Sequence, residues 1–174
     1  MLSKEVFQKV YTLLDQYTPL VDDCGLLCNS KCCSEWKDDV GIYLLPGEEQ
    51  IFDFDCASFT VEKQSADEYE FCPSWQGEFY FLKCTGNCPR SKRPIQCRTF
   101  PLEPHLRLDG MLEMIITPDY EFLCPLVKKG ISSIHSAFVK NTKLAWTMLL
   151  GDPMIYDDVI YESEKRRLRY PDFY

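Results

Sequence analysis

The sequence predicts an α+β fold, in which N-terminal and C-terminal helices flank a small, irregular, cysteine-rich core with a short antiparallel sheet. Three observations predict it. Apolar residues recur at helical spacing near both ends, and short strand-forming runs closed by turn signals occupy the middle. Cysteine makes up ten of the 174 residues, and most of the cysteines lie where signals for regular structure are weakest. A chain of this length fits one domain, so residues 1–174 are expected to form a single cysteine-rich domain.

The first predicted element is an amphipathic helix from Ser3 to Tyr17. Its apolar residues recur at three- and four-residue intervals, Ser3 is a suitable N-cap, and Pro19 follows the expected end. After the first cysteines, the run from Val40 to Leu45 is rich in strand formers and is closed by Pro46-Gly47. A helix that covers the core is therefore expected to precede the first strand.

The middle of the chain is predicted to supply further strands. Phe79 to Lys83 favours a strand, and Phe54 to Val61 is compatible with one. The clearest signal is Leu106 to Thr117, where two strand-like runs flank Asp109-Gly110, a pair that favours a tight hairpin turn. Between these regions, four prolines between Cys84 and Pro104 predict irregular backbone.

Two helices are predicted in the last part of the chain. Apolar residues from Ile131 to Leu150 recur at helical spacing, and Gly151 follows as a suitable terminator. Asp152-Pro153 then has the pattern of an N-cap and first helical residue, for a helix that reaches about Arg169. The cations near its end suit the C-terminal end of the helix dipole.

Charge and hydropathy argue against two classes of partner. The formal net charge of −8 disfavours general nucleic-acid binding, which needs a basic surface to neutralise phosphates. No apolar run approaches the roughly 18–20 residues of a membrane span, and the start MLSKEVFQKV lacks the apolar centre of a signal peptide. A cytoplasmic protein with neither a nucleic-acid nor a membrane partner is therefore expected.

In a reducing compartment, ten cysteines indicate metal ligation or catalysis rather than disulfides. They form an N-terminal cluster (Cys24, Cys28, Cys32 and Cys33), a central cluster (Cys84, Cys88 and Cys97) and three isolated residues (Cys56, Cys72 and Cys124). Four thiolates complete a tetrahedral zinc site or a [4Fe-4S] cluster, so one or two centres that draw on both clusters are expected. Cys56 is the expected spare, because an isolated cysteine in an apolar stretch is usually a small core residue.

Adjacent Cys32 and Cys33 cannot easily point at the same metal, because neighbouring side chains diverge along an extended chain. Either the loop is sharply turned, or one of the two cysteines serves a second metal, bridges two metals, or stays free. Arg98, directly after Cys97, is placed to hydrogen-bond a sulfur or to balance thiolate charge, with a surface basic patch as the alternative. His105 could replace a thiolate but is not expected to, and His135 is expected within a helix.

Two catalytic cysteine patterns are absent. The chain contains no Cys-x-x-Cys, so it lacks the thioredoxin-type redox motif. Three-residue gaps separate Cys24, Cys28 and Cys32, which differs by one residue from the pattern of radical enzymes that cleave S-adenosylmethionine. Neither chemistry is predicted from these cysteines.

Three segments together resemble the YkgJ-like cysteine cluster family, whose domain is described as zinc- or iron-chelating. They are CGLLCNSKCC, VGIYLLPGEE and CPRSKRPIQCRTFPLEP, within about residues 20 to 125. The match is closest where Arg93-Pro94 precede Cys97-Arg98-Thr99-Phe100-Pro101. Cys72-Pro73 corresponds to the family's Cys-Pro element, and Cys88, or alternatively Cys84, to the cysteine before Arg-Pro. The N-terminal cluster departs from the family pattern. The commonest form of the family has two-residue gaps between these cysteines, whereas this chain has three-residue gaps.

The resemblance implies metal chelation and names no reaction. We therefore expect zinc or a [4Fe-4S] cluster, held by Cys24, Cys28, Cys32 or Cys33, Cys88 and Cys97, with Cys72, Cys84 and Cys124 as further candidates. The family also resembles part of the flagellin lysine N-methylases, which leaves a second hypothesis: an iron–sulfur enzyme or enzyme component for electron transfer or protein-lysine methyl transfer. No glycine-rich nucleotide-binding loop supports the methylase activity itself. A disulfide-stabilised binding module is the third hypothesis.

Overall fold

The computed structural model describes residues 1–34, 41–86 and 88–171, and it has the expected α+β architecture. The helices are α1 (Lys4–Asp15), α2 (Gly25–Cys28), α3 (Lys31–Ser34), α4 (Ile95–Thr99), α5 (Pro125–Lys129), α6 (Ser136–Leu149) and α7 (Pro153–Arg169). The strands are β1 (Gly41–Tyr43), β2 (Phe59–Ser65), β3 (Glu78–Cys84), β4 (Glu103–Leu106) and β5 (Leu112–Ile115). Within these described residues, no helix is both long enough and apolar enough to cross a membrane.

The terminal helices form the main core. Helix α1 buries Phe7, Val10 and Leu14, which share one face because they lie three and four residues apart. This face packs against α6, where Phe138 and Trp146 belong to the same buried cluster. The predicted helix from Ser3 to Tyr17 is thus confirmed, with slightly shorter bounds.

Strand β3 lies at the centre of a three-stranded antiparallel sheet, between β1 and β2. Phe59 pairs with Cys84, so the start of β2 lies beside the central cysteine cluster. Gly41 pairs with Lys83, and a Cβ atom at Gly41 would lie 2.1 Å from the carbonyl oxygen of Leu82, so this position requires glycine. The strand predicted for Phe79–Lys83 is confirmed, the one after Phe54 begins only at Phe59, and Val40 lies outside the described residues.

The second sheet is the predicted hairpin. Leu106 pairs with Leu112 across a turn in which Gly110 has φ +78°, a backbone conformation that glycine adopts without a Cβ clash. Strand β4 begins at Glu103 and so extends into the segment predicted to be irregular. His105 on this strand is buried.

Helix α6 is shorter than predicted. Ile131–Ser133 forms a separate 3-10 turn, and Ile134 is extended, so the helix begins at Ser136. His135 is therefore at the N-cap rather than within the helix. Its backbone N–H donates to the Pro19 carbonyl at 2.8 Å, which ties the start of α6 to the end of the first segment. The N-cap predicted at Asp152 is confirmed, since its carboxylate accepts from two backbone N–H groups of α7.

A buried carboxylate holds the cysteine-bearing helix α4 in place. Glu48 is fully buried and accepts hydrogen bonds from the Ile95 N–H at 2.8 Å and from the Leu45 N–H at 3.0 Å. Its other donor is the Tyr11 hydroxyl. Burial raises the pKa of Glu48, while these three donors oppose that shift. Glu48 thus joins α1, the loop after β1 and the first residue of α4.

We expect Glu48→Ala to lower the free energy of unfolding by about 3 kcal/mol, because two buried N–H groups lose their only described acceptor. Urea denaturation measures this loss. Glu49→Ala is the matched control and should change stability by no more than about 0.5 kcal/mol. Equal midpoints for the two variants would contradict the structural role of Glu48.

Candidate metal centre

The N-terminal cysteine cluster lies on two short helices joined by a sharp turn. Cys24 and Cys28 are four residues apart at the two ends of α2, so their side chains share one face. Asn29 and Ser30 then have φ values of +53° and +54°, a left-handed conformation that costs a non-glycine residue about 1 kcal/mol. This turn redirects the chain before α3 presents Cys32 and Cys33.

Four cysteines line one small pocket of about 20 Å³. They are Cys24, Cys28, Cys32 and Cys124, and we call them the pocket group. Cys124 directly precedes α5 and packs near Cys24 in a small apolar cluster. The pKa of Cys24 is raised by burial, then by Asp23, Cys124 and Cys28, and the pKa of Cys124 is raised by burial and Cys28. These thiols are therefore near enough to disfavour one another's ionisation.

A second set of four cysteines comes from three separate parts of the chain. They are Cys33, Cys84, Cys88 and Cys97, which we call the bridging group. The backbone N–H of Cys88 donates to the sulfur of Cys33. Burial raises the pKa of Cys97, and Cys84, Cys33 and Cys88 raise it further. Burial and the Cys33 sulfur likewise raise the pKa of Cys84.

Cys32 and Cys33 connect the two groups. Their Sγ atoms lie 4.0 Å apart, and both residues line a larger cavity beside the bridging group. Only Cys32 also lines the small pocket, whereas it is Cys33 that raises the pKa of Cys84 and Cys97. Residues adjacent on a helix point about 100° apart, which accounts for this division. The hydrogen bond between the two sulfurs lowers the pKa of Cys33 and raises that of Cys32, so the pair readily holds a single proton.

The Arg93 side chain faces both groups. It lines the small pocket and the larger cavity beside the bridging group, and its Nε donates to the Cys88 carbonyl at 2.9 Å. Its positive charge lowers the pKa of Cys24 and Cys32 in the pocket group, and of Cys33, Cys88 and Cys97 in the bridging group. Arg93 is therefore placed to offset thiolate charge in both.

The sequence predicts that Arg98 hydrogen-bonds a sulfur or balances thiolate charge, but Arg98 makes different contacts. It is 1% exposed and donates to the carbonyls of Arg93 at 2.6 Å and Ser91 at 2.9 Å. It also pairs with Asp15 and lies over the Tyr11 ring, 4.4 Å from the ring centroid. Its described hydrogen bonds thus go to oxygen, and they fix the loop that carries Arg93.

The two remaining cysteines lie in different environments. Cys56 is beside Cys88 and raises its pKa, which burial and Cys56 together bring to about 12. No sequence pattern predicts this proximity, because it arises from the pairing of β2 with β3. Cys72 is 2% exposed in an aromatic cluster with Trp75 and Phe79, and its sulfur lies 3.3 Å from the Ser74 hydroxyl. The structure therefore brings eight of the nine predicted ligands into two groups and leaves Cys72 apart.

The sulfurs are gathered but do not form a closed shell. None of the ten cysteines forms a disulfide. Among residues 1–34, 41–86 and 88–171, no three Cys, His, Asp or Glu side chains are close enough together to hold a metal ion. Binding of a metal would thus require the thiols of a group to lose protons and move together.

Comparison of the chain with protein-family models, with curated proteins and with solved structures gave no match. The family resemblance therefore depends on the cysteine, arginine and proline motifs alone.

A cavity of about 330 Å³ adjoins the bridging group, and Asp158 of α7 lines it. Asp158 is 7% exposed, and its carboxylate accepts the backbone N–H of Cys72. Burial, and then the negative charge of Glu162, raise its pKa to about 7. Lys165 and Arg166 oppose this shift only in part.

We expect Asp158→Asn to flatten the pH dependence of stability between about pH 4 and pH 7. An unfolded aspartate ionises near pH 4, whereas folded Asp158 keeps its proton until about pH 7. The wild type therefore loses stability as pH rises through this range, and the neutral variant is spared that loss. Urea denaturation at pH 4.5 and pH 7.5 measures the difference.

Asp157→Asn is the control, because Asp157 is the exposed neighbour on the same helix. It should follow the wild-type pH dependence. If Asp158→Asn also follows it, the buried carboxylate does not retain its proton.

Proposed function

We propose that the chain is a cytoplasmic metal-binding protein with two thiolate centres, one for each cysteine group, each taking zinc or a [4Fe-4S] cluster. The observation that supports this most directly is the division of Cys32 and Cys33 between two sets, each of which then has four thiols. Four cysteine thiolates are the ligand set of structural zinc sites and of [4Fe-4S] clusters. Membership of the YkgJ-like cysteine cluster family belongs to the same proposal.

The electrostatics of the described residues suit such centres. A divalent metal with four thiolates keeps a negative charge, and Arg93 lies beside both groups to offset it. With four protein ligands, neither centre keeps an open position for substrate, so the metals would stabilise structure or, as clusters, carry electrons.

Metal binding is proposed to be coupled to local folding. The bridging group unites the end of β3 with α3, the loop before α4 and α4 itself, and the two helices are only four and five residues long. Because the thiols are not yet in a closed shell, the free energy of metal binding would also order these segments. Release of thiol protons makes the affinity rise with pH.

Serine substitutions at the two adjacent cysteines test the division into two centres. We expect Cys32→Ser and Cys33→Ser each to remove one centre, so that each retains about half of the wild-type metal, and the double variant to lose both. Measured metal per chain and the Co²⁺–thiolate charge-transfer absorption report the loss. Cys72→Ser is the matched control and should retain the full content, because Cys72 contacts neither group.

Two results would contradict the division. One is a double variant that loses no more metal than either single variant, since both cysteines would then serve one centre. The other is a Cys72→Ser variant that loses as much metal as Cys33→Ser.

The cavity beside the bridging group favours a second candidate function, an iron–sulfur enzyme component in electron transfer or protein-lysine methyl transfer. A cluster there would lie next to a space large enough for a small molecule. This candidate predicts brown protein with a redox-active visible band after purification without oxygen. Colourless, zinc-loaded protein from iron-replete anaerobic cells would exclude it.

A further inference from the structure

The cavity beside the bridging group has a size and lining suited to a small ligand. Its volume of about 330 Å³ falls within the usual range of small-molecule sites. The bridging-group sulfurs that line it come from α3, β3 and α4, whereas its acidic side chains come from β4 and α7. The acidic wall is therefore a feature separate from the thiols.

Three carboxylates line the cavity, those of Glu103, Asp158 and Glu162, together with the cations Arg93 and Arg166. Arg166 pairs with Glu103 at 3.3 Å and also donates to the Pro104 carbonyl. Glu162 pairs with Lys165 at 3.1 Å. The described residues place no ion pair on Asp158, although its carboxylate is buried.

Aromatic and aliphatic groups form the rest of the wall. Trp146, Val159 and Leu45 line the cavity, and Tyr43 lies near enough for the charges of Asp158 and Glu162 to raise its pKa after the larger effect of burial. The buried indole N–H of Trp146 has no hydrogen-bond partner among the described residues. An apolar surface thus meets a carboxylate that lacks a counterion.

We propose that this cavity binds a small organic cation, with its ammonium group against Asp158 and its hydrocarbon body against Trp146 and Val159. A buried carboxylate is costly to ionise without a counterion. An ammonium group of the ligand would supply the ion pair that the described residues do not form with Asp158. The aromatic rings add attraction for a cation. The carboxylates of Asp158 and Glu162 disfavour an anionic group at this position.

This inference goes beyond metal binding and does not require it, because the residues that recognise the cation lie outside both cysteine groups. The raised pKa of Asp158 agrees with this proposal. A buried carboxylate without a counterion retains its proton, and a bound ammonium group can take the place of that proton. The tightest binding is therefore expected above pH 7, as long as the amine stays protonated.

Benzylamine, benzyl alcohol and benzoate test the proposal at pH 8, because they share one body and differ in charge. Titration of the full chain should show benzylamine binding at least tenfold more tightly than benzyl alcohol, and no binding of benzoate. Asp158→Asn should weaken benzylamine binding at least tenfold, whereas Asp157→Asn should leave it unchanged.

Equal affinities for benzylamine and benzyl alcohol would overturn the proposal, as would equal weakening by the two aspartate variants. The probe series on the wild type decides the matter even if Asp158→Asn does not fold. Glu162→Gln provides a second variant on the partly exposed edge of the same wall, and it should weaken benzylamine binding without affecting benzyl alcohol.

Discussion

Removing metal from the protein is expected to lower the free energy of unfolding by at least about 4 kcal/mol, the value for a ligand present at a thousand times its dissociation constant. The reason is that all of these thiols except that of Cys84 lie on helices of four or five residues or in the loops beside them, and α2 buries none of its residues. The core between α1 and α6 contains no cysteine and should survive.

Hydrogen exchange with and without a chelator measures this effect by segment. Amides from 24 to 34 and from 84 to 99 should exchange much faster in the metal-free protein, while α1 and α6 keep their protection. Restoring zinc to the chelated protein controls for damage and should restore the slow exchange. An unchanged melting temperature and exchange pattern after complete metal removal would show that the cysteines do not hold the fold.

Arg98→Ala is the single substitution with the largest expected effect, a loss of about 3–5 kcal/mol in the free energy of unfolding. The guanidinium is buried, and its removal strands the carbonyls of Arg93 and Ser91 and empties the space over the Tyr11 ring. Because these carbonyls belong to the loop that positions Arg93, metal affinity should fall as well.

Asp15→Asn separates the buried contacts from the ion pair. The Asp15 side chain is 54% exposed, so neutralising it should cost less than about 1 kcal/mol. Arg98→Lys keeps the charge, but a lysine lacks the planar group that bonds both carbonyls at once. Its loss of unfolding free energy should therefore lie between the losses for Arg98→Ala and Asp15→Asn. Chemical denaturation of the three variants would contradict this account if Arg98→Ala and Asp15→Asn were equally stable.

Local sequence patterns predicted the helices and strands that form mainly through interactions between residues near one another in the chain. The spacing of Phe7, Val10 and Leu14 predicted α1, and Asp109-Gly110 predicted the hairpin. The short helix α4 was not predicted, because Pro94 and Pro101 bracket a segment too short to show a period. It forms there because Glu48, distant in sequence, accepts a hydrogen bond from its first N–H.

The candidate site was predictable in its residue types but not in its grouping. Cysteine spacing alone could indicate that Cys32 and Cys33 diverge, and it could not assign either to a set. Cys124 joins the pocket group because α5 packs against the N-terminal segment, and Cys56 approaches Cys88 because β2 pairs with β3. Burial likewise decides which of Arg93 and Arg98 faces the cysteine groups. The position of Arg98 directly after Cys97 does not reveal that burial.

Metal and acid-labile sulfide analysis of the full chain, purified without oxygen, tests the central claim most directly. The two-centre account predicts either two zinc ions per chain with no sulfide, or about eight iron atoms with about eight sulfides. In either case eight of the ten thiols are ligands, so a thiol titration should reach ten only after the metal or cluster is removed. Protein that contains neither metal nor sulfide, and whose ten thiols all react alike, would contradict it.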